Sequence, residues 1–261
     1  MINLQDMNIQ QKIADYLADE RLDDVNASSQ PVVYKDTLYT KYIKRILDIV
    51  ISFIALILTL PLNLILGIIT YIKLGSPLFF KQERIGRNEK PFTLVKFRNM
   101  TNATDKNGEL LPAQQRLTPI GTFMRKTSLD ELLNFWSIFK GDMSIIGPRA
   151  LPFYYYDRFS DRHKARFKVK PGLECPPWDE KHIKRTWENQ FENDVWYVEH
   201  VSFKVDCCMI FKLIRYTFGR KTSMMRAQCR KGSFLGYSKD GKAISNIDIT
   251  EEEAEKIISE M

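Results

Sequence analysis

Asp130 and Glu131 are adjacent carboxylates set among cations: Arg125 and Lys126 lie just upstream, and Arg149 follows in a Gly-Pro-Arg turn. A carboxylate nucleophile divides a difficult transfer into two easier steps, and Mg²⁺ favours one or two carboxylates plus substrate phosphates. On that reading Asp130 is a nucleophile or metal ligand, and Glu131 holds Mg²⁺. The cations clamp a phosphate, arginine bidentately and lysine as a point charge. A structural reading competes. Ser128 is a good N-cap with Glu131 three residues on, the spacing of a capping box, and acids in a first turn complement the helix dipole. Another cationic candidate lies upstream, in FTLVKFR. Read as a strand, it places Phe92, Leu94, Lys96 and Arg98 on one face. Two cations ending an apolar face suit a phosphate, or simply snorkel from a strand end.

These residues need elements to position them. After Ser128, Leu129, Leu132, Leu133, Trp136, Ile138 and Phe139 give one apolar helical surface, and Lys140-Gly141 is the expected stop. LFFKQER, a polar GRNEKP turn and FTLVKFR read as a β-hairpin within residues 76–100. Residues 101–118 read as a polar loop. Near the N-terminus, Ile9 to Leu22 fits a short amphipathic helix, with a linker from Asn26 to Pro31. Val205 to Phe218 reads as an amphipathic helix carrying Cys207 and Cys208 as small hydrophobes. The tail turns basic beyond Arg220 and ends in a helix with Thr250 as N-cap.

From Ile49 to Ile72 runs a segment of 24 residues without a charge. It begins too far into the chain for a signal peptide. As a straight helix it would reach about 36 Å, enough to cross a bilayer core of about 30 Å. Two features favour a turn back instead. Pro61 lies near the middle, where proline removes a backbone donor and clashes with the preceding turn. Asn63 is placed to bond a freed carbonyl. Lys41, Lys44 and Arg45 precede the segment, and Lys73, Lys81, Arg84 and Arg87 follow it, so both flanks prefer the cytoplasm. The reading is a re-entrant helix-break-helix dipping into one leaflet; a kinked spanning helix is the alternative.

The chain has 261 residues and a net charge of +7, with 44% hydrophobic and 27% charged residues. This excludes a disordered chain and a polytopic membrane protein. The basic balance points to phosphate-bearing partners. The four cysteines and three histidines show no metal-binding spacing. Arg162, Lys164, Arg166, Lys168 and Lys170 recur at every second position, as a solvated face or as contacts to anionic lipid or a nucleotide diphosphate. The aromatics Phe153 to Tyr156 read as packing or interfacial anchors rather than uracil stackers. Trp187, Phe191, Trp196 and Tyr197 suit a core or an interfacial belt.

From about Lys44 to about Gly219 the sequence resembles the monotopic phosphoglycosyl transferases, bacterial sugar transferases that start glycoconjugate assembly on a polyprenyl phosphate. The resemblance is carried by KRILD, FFKQERIGRNEKPF, KFRNM, TSLDELLNFWSIFKGDMSIIGPR, the KPG turn at Lys170 to Gly172, and DVWYVEH from Asp194 to His200. It implies that Asp130 attacks the β-phosphorus of a UDP-sugar, that UMP leaves, and that polyprenyl phosphate resolves the aspartyl adduct. It assigns Mg²⁺ to Glu131, phosphate handling to Lys96, Arg125 and Arg149, and a further acidic site position to Asp194. Three departures stand out. Leu60-Pro61 replaces the usual Ser-Pro, GPRA ending in Ala150 replaces GPRP, and LECPPWDE (Leu173 to Glu180) replaces GITGWAQV, which leaves the sugar undetermined.

The expected architecture is α+β: a helix-rich cytoplasmic catalytic domain with a short antiparallel hairpin, anchored by the re-entrant segment. Its parts are an extension over 1–40, a membrane hairpin over 41–75, a catalytic domain over 76–220 and a tail over 221–261. Expected partners are a UDP-sugar, polyprenyl (undecaprenyl) phosphate and inner-membrane lipid, with no nucleic acid and with a homodimer left open. The expected location is the cytoplasmic face of the bacterial inner membrane. A membrane-anchored basic binding module without catalysis is the rival class. A polytopic transferase is disfavoured by the single apolar segment.

Overall fold

The computed structural model describes residues 3–106, 108–179, 186–218 and 232–261. His182, Cys229 and the basic stretch just beyond Arg220 lie outside the described residues. Helix α1 spans Met7–Ser28, extending the expected Ile9–Leu22 at both ends. The Asp6 carboxylate starts it by accepting from the Asn8 N–H, and Ile13, Ala14 and Leu17 form its buried stripe.

A π-type turn at Tyr39–Ile43 leads into α2, Lys44–Leu74. Pro61 does not end this helix, which continues through it. The polar neighbours form a relay along one side: Thr59 Oγ1 donates to the Ala55 carbonyl, and Asn63 Nδ2 donates to Thr59 Oγ1. Asn63 thus bonds a hydroxyl, not the freed carbonyl expected for it. From Tyr39 to Leu74 the peak mean hydropathy is 2.6, yet only 11% of that window is buried. Ile57, Leu58, Leu64 and Ile68 stand exposed. The helix is long and apolar enough to cross a membrane.

Both ends of α2 are tied to the same body. Asp48 accepts from Ser144 Oγ and the Ile145 N–H, each at 3.0 Å. Arg45 donates to the carbonyls of Ile138 and Phe139. Toward the other end, Leu66 is buried with Phe97 and Met124. Arg98 donates to the carbonyls of Leu74, Gly75 and Ser76, acceptors that a helix C-terminus leaves unpaired. Of the two strand-end cations, Arg98 is therefore a helix cap and not a phosphate ligand.

The hairpin forms as expected, with β1 (Phe79–Ile85) antiparallel to β2 (Pro91–Phe97) and Phe80 opposite Lys96. Phe92 and Leu94 pack with Ile138 and Met143. Helix α3 spans Pro119–Thr127, capped by Thr118, and α4 spans Asn134–Lys140, ended by Gly141 at φ 109°. Strand β3 (Ser144–Ile146) pairs in parallel with β4 (Gly172–Glu174). Helices α5 (Trp187–His200) and α6 (Phe203–Phe218) follow. A second hairpin, β5 (Phe234–Tyr237) with β6 (Ala243–Ser245), precedes α7 (Glu251–Glu260), which Thr250 and Glu253 start with a capping box. The described residues are α+β, helix-rich with three two-stranded sheets.

The largest core is aromatic: Tyr155, Phe159, Phe167, Trp187 and Phe191, joined by Phe234, Tyr237 and Val25. A second cluster joins Ile13 and Leu17 to Leu235, Ala254 and Ile257. The N- and C-terminal extensions therefore fold on one another and onto the middle of the chain. Of the aromatics Phe153 to Tyr156 only Tyr155 is buried, whereas Phe153 and Tyr154 are exposed, so packing accounts for part of the run; Trp196 stacks on Trp178 at 5.1 Å. The alternating cations do not form one face, because residues 161–168 are helical turns rather than a strand. Arg162 pairs with Glu192, Arg166 is buried beside Asp194, and Lys168 donates to the Val32 carbonyl.

Candidate active site

The carboxylate pair lies on a break, not inside a helix. Ser128 adopts a left-handed conformation, φ 56°, and closes α3; its N–H is taken by the Arg125 carbonyl. A residue that ends one helix in this conformation cannot serve as the extended N-cap of the next. Leu129–Glu131 instead make one tight 3₁₀ turn, and α4 begins only at Asn134. The expected capping box does not form. The Glu131 carboxylate accepts from Arg149 at 3.0 Å. The expected single apolar surface is also divided. Leu129, Leu132 and Leu133 join the cluster around Met124 and Ile138 the one around Leu94, while Trp136 is exposed beside Phe139.

Asp130 is 3% exposed, an unusual place for a carboxylate without a function or a full complement of partners. Asn99 Nδ2 donates to its Oδ2 at 2.7 Å. Asn99 is itself set by the close approach of its backbone to α3, which only glycine permits. A Cβ at Gly121 would lie 1.8 Å from the Asn99 carbonyl oxygen. Burial pushes the Asp130 carboxyl above its usual range; Lys96 opposes this, Glu131 adds to it, and Asn99 opposes it. Burial likewise pushes the Lys96 ammonium down, against Asp130 and Glu131, with Arg84 and Arg125 lowering it further. Lys96 sits 5.6 Å over the Phe80 ring, its partner across the hairpin.

Arg149 completes the set. Its guanidinium lies between Glu131 at 3.0 Å and Glu174 at 3.8 Å, and the Glu131 charge, foremost, raises its pKa. Two turns hold it in backbone contact. The Gly172 N–H donates to the Pro148 carbonyl, and a Cβ on Gly172 would stand 2.2 Å from the Gly147 nitrogen. The GPR and KPG turns are therefore one device, closed where only glycines fit. Behind it, Arg166 donates to the Arg149 carbonyl at 2.8 Å and pairs with Asp194 at 2.9 Å.

Asp130, Glu131, Lys96 and Arg149 share one field, with Arg125 exposed at the rim, 3.8 Å from the Met100 sulfur. Asp194 is not brought among them; it lies buried one residue behind Arg149, through Arg166. Sequence reasoning did not single out Asn99 or Glu174, and it read Arg84 only as a cation flanking the apolar segment, whereas Arg84 donates to the Ala150 carbonyl at 2.9 Å. Asn99 had a signal, being the first polar neutral residue after the cationic strand end. Among the described residues no group of three or more His, Cys, Asp or Glu is arranged to hold a metal ion. The adjacent carboxylates fit Mg²⁺ only in the mode where substrate phosphates and water complete the shell.

Buried carboxylate, convergent cations and a long exposed apolar helix together describe a membrane-anchored enzyme for phosphate-bearing substrates. The particular lineage is equally plain: the chain belongs to the bacterial sugar transferase family, whose profile matches residues 39–220. It is 39% identical over 175 residues to an uncharacterized sugar transferase, EpsL, of Bacillus subtilis, covering 66% of this chain and 86% of that one. It is 31% identical to a UDP-N-acetylgalactosamine-undecaprenyl-phosphate N-acetylgalactosaminephosphotransferase of Aeromonas hydrophila, over 67% of this chain and 43% of the relative. It is also 31% identical to a UDP-glucose:undecaprenyl-phosphate glucose-1-phosphate transferase of Klebsiella pneumoniae, over 69% of this chain and 41% of the relative. The chain thus spans less than half the length of those two proteins.

Proposed function

We propose that this protein transfers a sugar-1-phosphate from a UDP-sugar to polyprenyl phosphate, the initiating step of glycoconjugate assembly, through a covalent adduct on Asp130. The observation that carries the reading is a nearly buried carboxylate held beside Lys96 and Asn99. Burial raises its basicity and with it its nucleophilicity, while its two partners favour the charged form that attacks. An Asp130 oxygen forms a bond to the β-phosphorus, the bond from that phosphorus to the bridging oxygen breaks, and UMP departs with the electron pair. An oxygen of polyprenyl phosphate then attacks the same phosphorus, and the Asp130 carboxylate is released. Arg149, Lys96 and Arg125 neutralise phosphate charge during both displacements, and Asp194 acts behind them by fixing Arg166. Glu131 would hold Mg²⁺ with the donor diphosphate, where the ion would supply further charge neutralisation.

The membrane segment is read as re-entrant, with the catalytic body on the cytoplasmic face of the inner membrane. A straight helix would separate Arg45 from Leu66 by about 32 Å. Yet Arg45 grips Ile138 and Phe139, while Leu66 joins the cluster holding Leu132 and Leu133, a few residues earlier in the chain. A bend at Pro61 reconciles the two contacts. It also keeps Asp130 at the height of lipid phosphates.

The test is UMP release from a panel of UDP-sugars by detergent-solubilised protein with polyprenyl phosphate and Mg²⁺, joined to mass spectrometry of enzyme trapped with donor alone. A phosphosugar mass on the Asp130 peptide is expected, absent in Asp130→Asn. Wild-type turnover by that variant would remove the nucleophile from this position.

A further inference from the structure

A second cationic site lies apart from Asp130, at the foot of the apolar helix. A cavity of about 100 Å³, open at its mouth, is lined by Lys41, Lys44, Arg45, Arg87 and Lys170, with Asp48 as the one acid among its described lining residues. Charge within it is unbalanced. Lys44 is paired with Asp206, and Lys41 lies 3.7 Å from Asp36. Asp48 is already engaged by Ser144 Oγ and the Ile145 N–H. Among the described residues, Arg45 and Arg87 donate only to carbonyls, the latter to that of Lys168. Among the described residues no carboxylate lies within ion-pair distance of Arg45, Arg87 or Lys170. Burial, and then the neighbouring Arg45, hold the Lys170 ammonium below its ordinary pKa; Arg87 adds to this, Asp48 and Asp142 oppose it. Like charges converging on a partly desolvated cavity are unfavourable unless an anion joins them.

The elements that build the site say which anion. Lys44 and Arg45 open α2, and the first exposed residues beyond them are Ile46, Val50, Ile51 and Phe53. Arg87 comes from the hairpin turn and Lys170 from the KPG turn, so three separate segments close around the point where the apolar helix leaves the body. An occupant with a phosphate and two acyl chains fits both halves: charge in the cavity, hydrocarbon along α2. A free phosphate would satisfy only the first.

We propose that this cavity is a binding site for the headgroup phosphate of an anionic membrane phospholipid of the phosphatidylglycerol type, separate from the transfer site. The inference rests on α2 being membrane-embedded, not on the chemistry at Asp130. The bound lipid would fix the height of the catalytic body on the bilayer by neutralising Arg87 and Lys170.

The test uses the full chain in neutral detergent, offered equal amounts of phosphatidylglycerol and phosphatidylcholine, with retained lipid counted by native mass spectrometry. Several-fold preference for phosphatidylglycerol is expected, falling at least three-fold in Arg87→Gln and in Lys170→Gln, with Lys12→Gln on α1 unchanged as a control for charge alone. Melting temperatures of the variants show whether each has folded. Undiminished preference in both folded cavity variants overturns the site. Displacement of the lipid by millimolar inorganic phosphate, as effective as displacement by excess phosphatidylglycerol, overturns the lipid as its occupant. Asp130→Asn should retain the lipid fully, so failure of the transfer reaction and failure of this site are read separately.

Discussion

At the scale of residues, the central contest is between burial and neutralisation at Asp130. Asn99 donates to the charged form and so lowers its pKa. Asn99→Ala should therefore raise it and move the acid limb of the activity profile to higher pH, while the activity at high pH falls less. The pH at half-maximal UMP release, measured for both proteins, checks this. An unshifted limb with uniformly lower activity would assign Asn99 to packing alone. Burial also makes a stability prediction. A carboxyl whose folded pKa is raised favours its protonated form in the fold, so its contribution is intact below the unfolded value of about 3.9 and declines as pH rises through the folded pKa. Asp130→Asn should consequently melt above the wild type near pH 8, and the gap should close toward pH 4. Thermal melts at the two pH values decide it, and an inactive variant with increased stability would mark Asp130 as a position held for chemistry at a cost to the fold.

At the scale of elements, α2 is the decisive piece. Its flanking cations, its proline and its two anchoring contacts all favour a helix that enters and leaves on one side. Single cysteines just before Lys44 and just after Lys73 should both react with an impermeant reagent only when the cytoplasmic side is open. Labelling from opposite sides would make α2 a spanning helix and would separate the foot cavity from the headgroup plane of its other end. The break between α3 and α4 is the corresponding device on the catalytic side. An unbroken helix from Ser128 would have paired Glu131 with its own N-terminus. The left-handed Ser128 instead turns both carboxylates toward Lys96 and Arg149.

At the scale of the whole molecule, the catalytic body is closed by the chain's two ends. Tyr237 from β5 accepts from the Ser160 N–H and bonds His163 Nδ1 at 2.8 Å, and Arg158 donates to the Phe234 carbonyl. These contacts lock the residues that follow Arg149. Leu17→Ala, outside the matched family region, should cost about 2–5 kcal/mol, because Leu17 is 1% exposed between Leu235 and Ala254. It should lower one cooperative transition that also carries UMP release. Two separate transitions, with activity surviving the first, would show the terminal unit to be independent. Acid should loosen the same region. Although burial alone would raise Glu192, Arg162 and His163 hold it down to about 2. That support is present above about 4.3 and is lost as pH falls toward the folded value.

How much was legible in the sequence follows from the range of the forces involved. The hairpin, the apolar segment, the stop at Gly141 and the Thr250 cap were readable because alternation, hydropathy and capping act over a few residues. Asp130, Glu131 and Arg149 stood out for the same reason, as charges at close spacing. What the sequence by itself determined was the family's motif order, the membrane-seeking segment and the residues available for chemistry. The tertiary structure alone decided which of them meet. It sent Arg98 to cap α2, placed Asp194 behind Arg149, brought in Asn99 through a gap that only Gly121 leaves, and joined the two termini over one core. Those outcomes depend on close packing between residues far apart in the chain, and no local pattern encodes where a distant backbone will come to rest.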